Sequence, residues 1–202
     1  KDGVCQGSRQ IHITEEAMSP FTSSARGEEL IVMFISYQGI YPQVHSSVFV
    51  ADGVKIIGDV HIGEESSIWF NAVLRGDLAR IQIGSRCNLQ DNTVAHVNTN
   101  QPLIIEDDVS VGHSAIVHGC TIRRGALIGM GAIILNGAEV GEYTLVGAGS
   151  VVTENTVIPP YCLALGTPAK VVRSLTEEDL QRLHRTTDHY VTKGREFLRE
   201  TT

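Results

Sequence analysis

Aromatic residues are scarce in this chain, with Phe, Trp and Tyr making up 5% of 202 residues and Trp present once. A core built around large rings is excluded, and the abundance of Val and Ile points to strands on a narrow aliphatic core. Basic residues are in deficit too, 16 Lys and Arg against 23 Asp and Glu, for a net charge of -7. That balance argues against nucleic acid or an anionic membrane as partner. No apolar run approaches the roughly 20 residues needed to span a bilayer as a helix. Cysteines are few and scattered, Cys5, Cys87, Cys120 and Cys162, without C-x-x-C spacing. In a chain of this size they read as reduced thiols of a cytoplasmic protein rather than as staples. With 42% hydrophobic and 19% charged residues, one folded domain is expected.

Regular patterning is also missing at the start. Residues 1–32 hold no sustained period of 2 or 3.6 and no apolar stretch before a small-residue cleavage site, so a secretory signal is not expected. Gly27-Glu28-Glu29 before Met33 reads as a translated ribosome-binding sequence, which makes Met33 the expected natural start. The segment is taken as a leader with no assigned function.

What is present is a repeat. Val44, Val50, Ile56, Ile62, Ile68 and Leu74 stand six apart, and Ile83 and Leu89, then Ile105, Val111 and Val117, keep the spacing. Ile122, Ile128, Ile134, Val140, Val146, Val152 and Ile158 continue it. Glycine often follows the aliphatic residue, as in Ile62-Gly63, Ile83-Gly84, Val111-Gly112 and Ile128-Gly129. A hexapeptide period is the mark of a β-helix. Each hexad is one short strand and a corner, three hexads make a triangular coil, and coils stack as parallel strands about 4.8 Å apart. The expected fold is all-β: a left-handed parallel β-helix over 33–173, with a C-terminal α-helix over 174–202. Pro159-Pro160 is expected to end the regular coils. Ser174 with Glu177 reads as a capping box, and Leu180, Leu183, Tyr190, Val191, Phe197 and Leu198 recur at helical spacing. The helix would cover strand edges of the prism.

Two breaks in phase place the histidines. About three residues are inserted between Leu74 and Ile83, and about four between Ala95 and Ile105, the latter as a loop at Asn98 to Pro102. With these set aside, Arg75, His96 and His118 are one 18-residue coil apart and form a column on one face. His113 belongs to the preceding face, directly above Asp91 and next to Gln90. Two stacked imidazoles can share one metal ion. The third, around a corner, can join them from a neighbouring chain, which predicts a homotrimer with three shared sites. Three imidazoles leave a coordination position open, the pattern of a catalytic ion, and suit Zn2+, with Fe2+ or Co2+ also fitting. His12, His45, His61, His184 and His189 read as surface or corner residues.

The run Arg75-Gly76-Asp77, then Asn88-Leu89-Gln90-Asp91, then His96, and His113 with four residues before His118, resembles the gamma-class carbonic anhydrase family over residues 34–200. The resemblance implies reversible hydration of carbon dioxide to bicarbonate by metal-activated water at a subunit interface. It implies that His96, His113 and His118 bind the metal, with one supplied by the adjacent subunit. Arg75 and Asp77 would bridge subunits, and Gln90 with Asn88 would handle the water and carbon dioxide. Gln90 suits that role because an amide donates and accepts at once. Asp91 can fix a ligand histidine through its second nitrogen, and Tyr190 is a candidate polar contributor from the helix. The chain departs from the archetype, which carries an acidic loop and proton-passing glutamates. Here the loop reads Val97-Asn98-Thr99-Asn100-Gln101-Pro102 and Leu78 follows Asp77.

Other functions fit the same scaffold. The stretch from Gly166 to Arg173 is similar to a segment of hexapeptide acyltransferases, and fold does not settle function. A metal-dependent acyl-CoA thioesterase and a non-catalytic metal-binding trimeric scaffold are the remaining alternatives.

Overall fold

The computed structural model describes residues 33–201. The leader, with Cys5 and His12, lies outside the described residues. The hexads form three parallel ladders, the faces of a left-handed prism. The first stacks Val94–His96, Ile116–His118, Ile133–Ile134 and Val151–Val152. The second stacks Leu103–Ile105, Thr121–Ile122, Glu139–Val140 and Val157–Ile158. The third runs from Phe49–Val50 through Ser67–Ile68, Asn88–Leu89, Ser110–Val111 and Leu127–Ile128 to Leu145–Val146. Two longer strands, Lys55–Ile62 and Val73–Ile83, round the corner from the first face to the second.

The aliphatic residue of each hexad points into the prism. Ile56, Leu74, Ala95, Val117, Ile134 and Val152 make one inner column, each 0% exposed. Ile83, Ile105, Ile122 and Val140 line the second, and Ile68, Leu89, Val111, Ile128 and Val146 the third, none above 1%. Each such side chain contributes about 1.5–3 kcal/mol by leaving water. Cys87, Cys120 and Cys162 are free and buried, and burial pushes the Cys87 and Cys120 thiols up to about 12, leaving them inert at neutral pH.

Both phase breaks are present. Gly58 pairs with Gly76 but Val60 pairs with Ile81, so residues 77–80 stand opposite Asp59 alone. The second insertion closes as a turn with Asn98 bridged to Gln101. A third irregularity went unread: Ile116 pairs with Ile133 and Val117 with Ile134, 17 apart, whereas Thr121 pairs with Glu139, 18 apart. The corner after His118 is therefore one residue short.

The chain end differs from expectation in two respects. The coils continue past Pro159-Pro160, since Cys162–Gly166 pairs in parallel with Leu145–Val146 and then turns antiparallel onto Ala169–Ser174. The prolines fall in a corner, where no ladder N–H is needed. Ser174 ends that strand, so it does not cap the helix, which spans Glu177–Thr201. The cap is Thr176. Its Oγ1 accepts from the Asp179 N–H at 3.2 Å, and Asp179 Oδ2 accepts from the Thr176 N–H at 2.8 Å. The helix lies on the third face, burying Leu183, Thr187 and Val191. Gly194 lets it approach closely, since a Cβ there would sit 3.3 Å from Ser67 Cβ and 3.5 Å from Phe49 Cβ. Trp69 meets Tyr190 and Phe197 edge-on at 5.4 Å. Among the described residues no helix is long and apolar enough to cross a membrane.

Candidate functional site

Strand register carries the histidine column. Arg75 is the partner of His96, and His96 the partner of His118. All three follow an inward aliphatic residue, so their side chains face outward, where His96 and His118 stand half-buried. The rings lie 4.9 Å apart, with His96 Nδ1 2.9 Å from His118 Nε2.

The remaining ring nitrogens are already committed. His96 Nε2 lies 2.9 Å from Asp77 Oδ1. His118 Nδ1 lies 2.6 Å from Asn136 Oδ1. Both oxygens only accept, so both ring nitrogens facing them carry the hydrogen. In the neutral rings, His96 Nδ1 and His118 Nε2 then present lone pairs to each other. Such a pair is repulsive unless a cation lies between. Two imidazole nitrogens at this separation can take one ion with bonds of about 2.0–2.1 Å.

Asp77 owes its place to the inserted residues of the Val73–Ile83 strand. The resemblance implies an Arg75–Asp77 bridge between subunits; within the chain the two residues pair with each other, and Asp77 also holds His96. Burial alone would raise the Asp77 carboxyl, but hydrogen bonds from His96 and Arg75 outweigh it and hold the group below its usual value. It is an anion at neutral pH.

His113 stands at the corner between the third and first faces. Its Nδ1 is 2.6 Å from Asp91 Oδ2, the partner that coil counting placed beneath it. That leaves Nε2 as its lone-pair nitrogen, 3.5 Å from the Tyr190 hydroxyl. Burial first, and the Asp91 charge second, push the Tyr190 phenol up, so it stays a donor. Gln90 lies below, with its Oε1 accepting from the His113 N–H at 3.2 Å and its Nε2 donating to Asn88 Oδ1 at 2.9 Å. Asn88 Nδ2 in turn donates to Ser110 Oγ at 2.7 Å. Thr187 Oγ1 lies 3.5 Å from Ser110 Oγ and donates to the Asp108 carbonyl at 3.0 Å. The Gln90 amide is thus held in one orientation from the helix inward.

The single chain brings His96 and His118 together and leaves His113 around the corner. Among the described residues no three His, Cys, Asp or Glu side chains converge on one point. Of the histidines set aside, His45 bonds to Ser47, His61 to Asp59, and His184 packs on Tyr143. Sequence reading missed Asn136, Glu154, Ser110 and Thr187. Asn136 and Glu154 lie 18 and 36 residues beyond His118, and Ser110 lies 22 beyond Asn88, the same offset as Asp91 to His113. Carrying the coil arithmetic on would have found three of them. Thr187, on the helix, has no such signal.

Comparison with known proteins agrees on the hexapeptide fold, while the relatives' names divide between carbonic anhydrase and acetyltransferase. The hexapeptide family described as "Bacterial transferase hexapeptide (six repeats)" matches residues 119–154. A carbonic anhydrase of Geobacillus kaustophilus is 54% identical over 165 residues, 82% of this chain and 91% of that protein. The mitochondrial gamma carbonic anhydrase 2 of Arabidopsis thaliana is 46% identical over 156 residues, 74% of this chain but 56% of that longer protein. Among solved structures, a Bacillus cereus protein provisionally described as an acetyltransferase superposes with a TM-score of 0.82 at 52% identity, covering 82% of this chain and 96% of that one.

Proposed function

Because the chain belongs to the gamma-class carbonic anhydrase-like family of hexapeptide-repeat proteins, we propose that it hydrates carbon dioxide reversibly to bicarbonate and a proton at a divalent metal site shared between subunits of a homotrimer. The observation that carries this is the uniform presentation of three histidines. Each has one ring nitrogen engaged by a side-chain acceptor, Asp77, Asn136 or Asp91, and the other left as a lone pair. One such contact is not distinctive, since His61 also meets Asp59, but metal ligands need it on all three of the histidines that strand register and coil counting single out. His96 and His118 of one subunit and a partner's copy of His113 would hold the ion, with Zn2+, Fe2+ or Co2+ all suited to the donor set. A divalent ion bound there would lower the pKa of water toward about 7 and so supply hydroxide at neutral pH.

The chain's own groups do the positioning. Asp77 and Asp91 keep His96 and His113 in the required tautomers and would offset part of the charge of a bound ion. Gln90 has its carbonyl on the His113 N–H and one amide hydrogen on Asn88. Its second amide hydrogen remains to orient an oxygen of water or bicarbonate. The Tyr190 hydroxyl, beside His113 Nε2, is a further donor to a developing bicarbonate oxygen. No carboxylate occupies the loop from Val97 to Pro102, so the released proton passes to water or buffer, and turnover should rise with buffer concentration.

The direct test is hydration of carbon dioxide by anaerobically prepared protein, before and after stripping with a chelator. Activity that disappears with the metal and returns on reloading supports the reading. Metal retained with hydration at the buffer rate contradicts it, and hydrolysis of an acyl-CoA thioester by that sample would move the function to the thioesterase alternative.

A further inference from the structure

We propose that Asn136, held by Glu154 and admitted by Gly119, is a positioning residue that fixes His118 in its Nδ1–H tautomer and so turns the Nε2 lone pair toward His96. The proposal rests on the metal reading above for its purpose, but not for its geometry.

The short corner after Val117 starts the arrangement. Because the coil below is one residue short, the extra residue of the coil above falls in the corner between Ile134 and Glu139. This sets Asn136 beside the His118 ring. Gly119 makes the room: a Cβ there would lie 2.7 Å from Asn136 Oδ1 and 3.2 Å from the Gln101 carbonyl oxygen. With any side chain at 119, the carboxamide would be pushed off His118.

Glu154 supplies the direction. Its Oε1 lies 3.3 Å from Asn136 Nδ2. A carboxylate only accepts, so the amide nitrogen faces Glu154 and the amide oxygen faces His118. The Asn136 oxygen then demands a hydrogen on His118 Nδ1, at 2.6 Å. Without it, an isolated imidazole places its hydrogen on either nitrogen, and the Nε2–H form has no lone pair for an ion shared with His96. Partners of this kind shift metal affinity by about 10- to 100-fold when removed.

The test has two readouts on wild type, Asn136→Leu and Asn136→Asp. In metal-free protein with 15N-labelled histidine, the His118 ring nitrogens should report a single Nδ1–H tautomer in wild type. They should report a mixture in Asn136→Leu, and Nδ1–H again in Asn136→Asp, which keeps an acceptor. Chelator competition with Zn2+ should show about 10- to 100-fold weaker binding in Asn136→Leu, largely restored in Asn136→Asp. A His118 that stays wholly Nδ1–H in Asn136→Leu overturns the proposal, as does unchanged Zn2+ affinity in that variant. Wild type that binds no Zn2+ while its tautomer still depends on Asn136 would sink the metal reading and leave the positioning role standing. Asn136 is half-buried at an outer corner, and circular dichroism checks that both variants fold.

Discussion

Replacing His118 with Ala is expected to abolish metal retention and carbon dioxide hydration together while leaving the prism folded. The imidazole points outward from the Ile116–His118 strand, and Val117, its inward neighbour, carries the packing at 0% exposure. Removing the ring deletes contacts to His96 and Asn136 but opens no cavity in the core. The stability cost should be about 1 kcal/mol or less, as for other substitutions away from the core. Loss of a donor to the ion itself should exceed the roughly 100-fold that marks the upper end for a supporting contact. Metal content, hydration rate and a thermal melt on one preparation check all three parts. A variant that melts like wild type yet keeps its metal would show that His118 is no ligand.

Gly129→Ala should be among the most damaging single-methyl changes in the chain. Gly129 follows the inward Ile128 at a corner, and a Cβ there would meet Ala148 N at 2.5 Å, Gly147 C at 2.7 Å and Val146 O at 2.8 Å. All three are backbone atoms of the next coil, held by the ladder that joins Leu127–Ile128 to Leu145–Val146. They cannot swing aside as a side chain would. The coils must part locally, at a cost of about 3 kcal/mol or more. Gly149→Ala is the control. Gly149 has φ of +65° and nothing within 4 Å of the position a Cβ would take, so the only penalty is the left-handed backbone, about 1–2 kcal/mol. Urea midpoints should separate the two clearly. Equal shifts would mean that coil spacing does not constrain the glycine after the aliphatic residue.

That contrast also explains why so much of the fold could be read in advance. A period of six ties the inward residue, the corner and the next coil to one count. Ile56, Leu74, Ile128 and Ile134 were therefore placed by number alone, and the Arg75, His96 and His118 column followed once two insertions were subtracted. The His113–Asp91 pair came from the same subtraction. Features that break the count or lie off the prism escaped. The step from Val117 to Ile122 is five rather than six, a break the repeat count passed over, and Asn136 and Glu154 were missed because the count from His118 was not carried into the next two coils. The cap at Thr176 escaped because Ser174 offers a similar pattern to Glu177, and only the antiparallel strand Ala169–Ser174 removes Ser174 from consideration. Thr187 gave no signal, because its hydroxyl acts through the Asp108 carbonyl and Ser110, which no helical period reveals.

The central claim is that the metal is held across a subunit interface, and mixing two inactive variants tests it most directly. His113→Ala and His118→Ala, prepared separately, should each lack metal and hydration activity. Unfolded together in equal amounts and refolded into mixed trimers, they should regain about one quarter of the wild-type sites, since an interface is whole only when the His113→Ala subunit supplies His96 and His118 and its neighbour supplies His113. Recovery near that fraction, in metal content and in hydration rate alike, is the predicted result. No recovery from a mixture that refolds into trimers, beside a wild-type sample that refolds with its metal, would contradict a shared site.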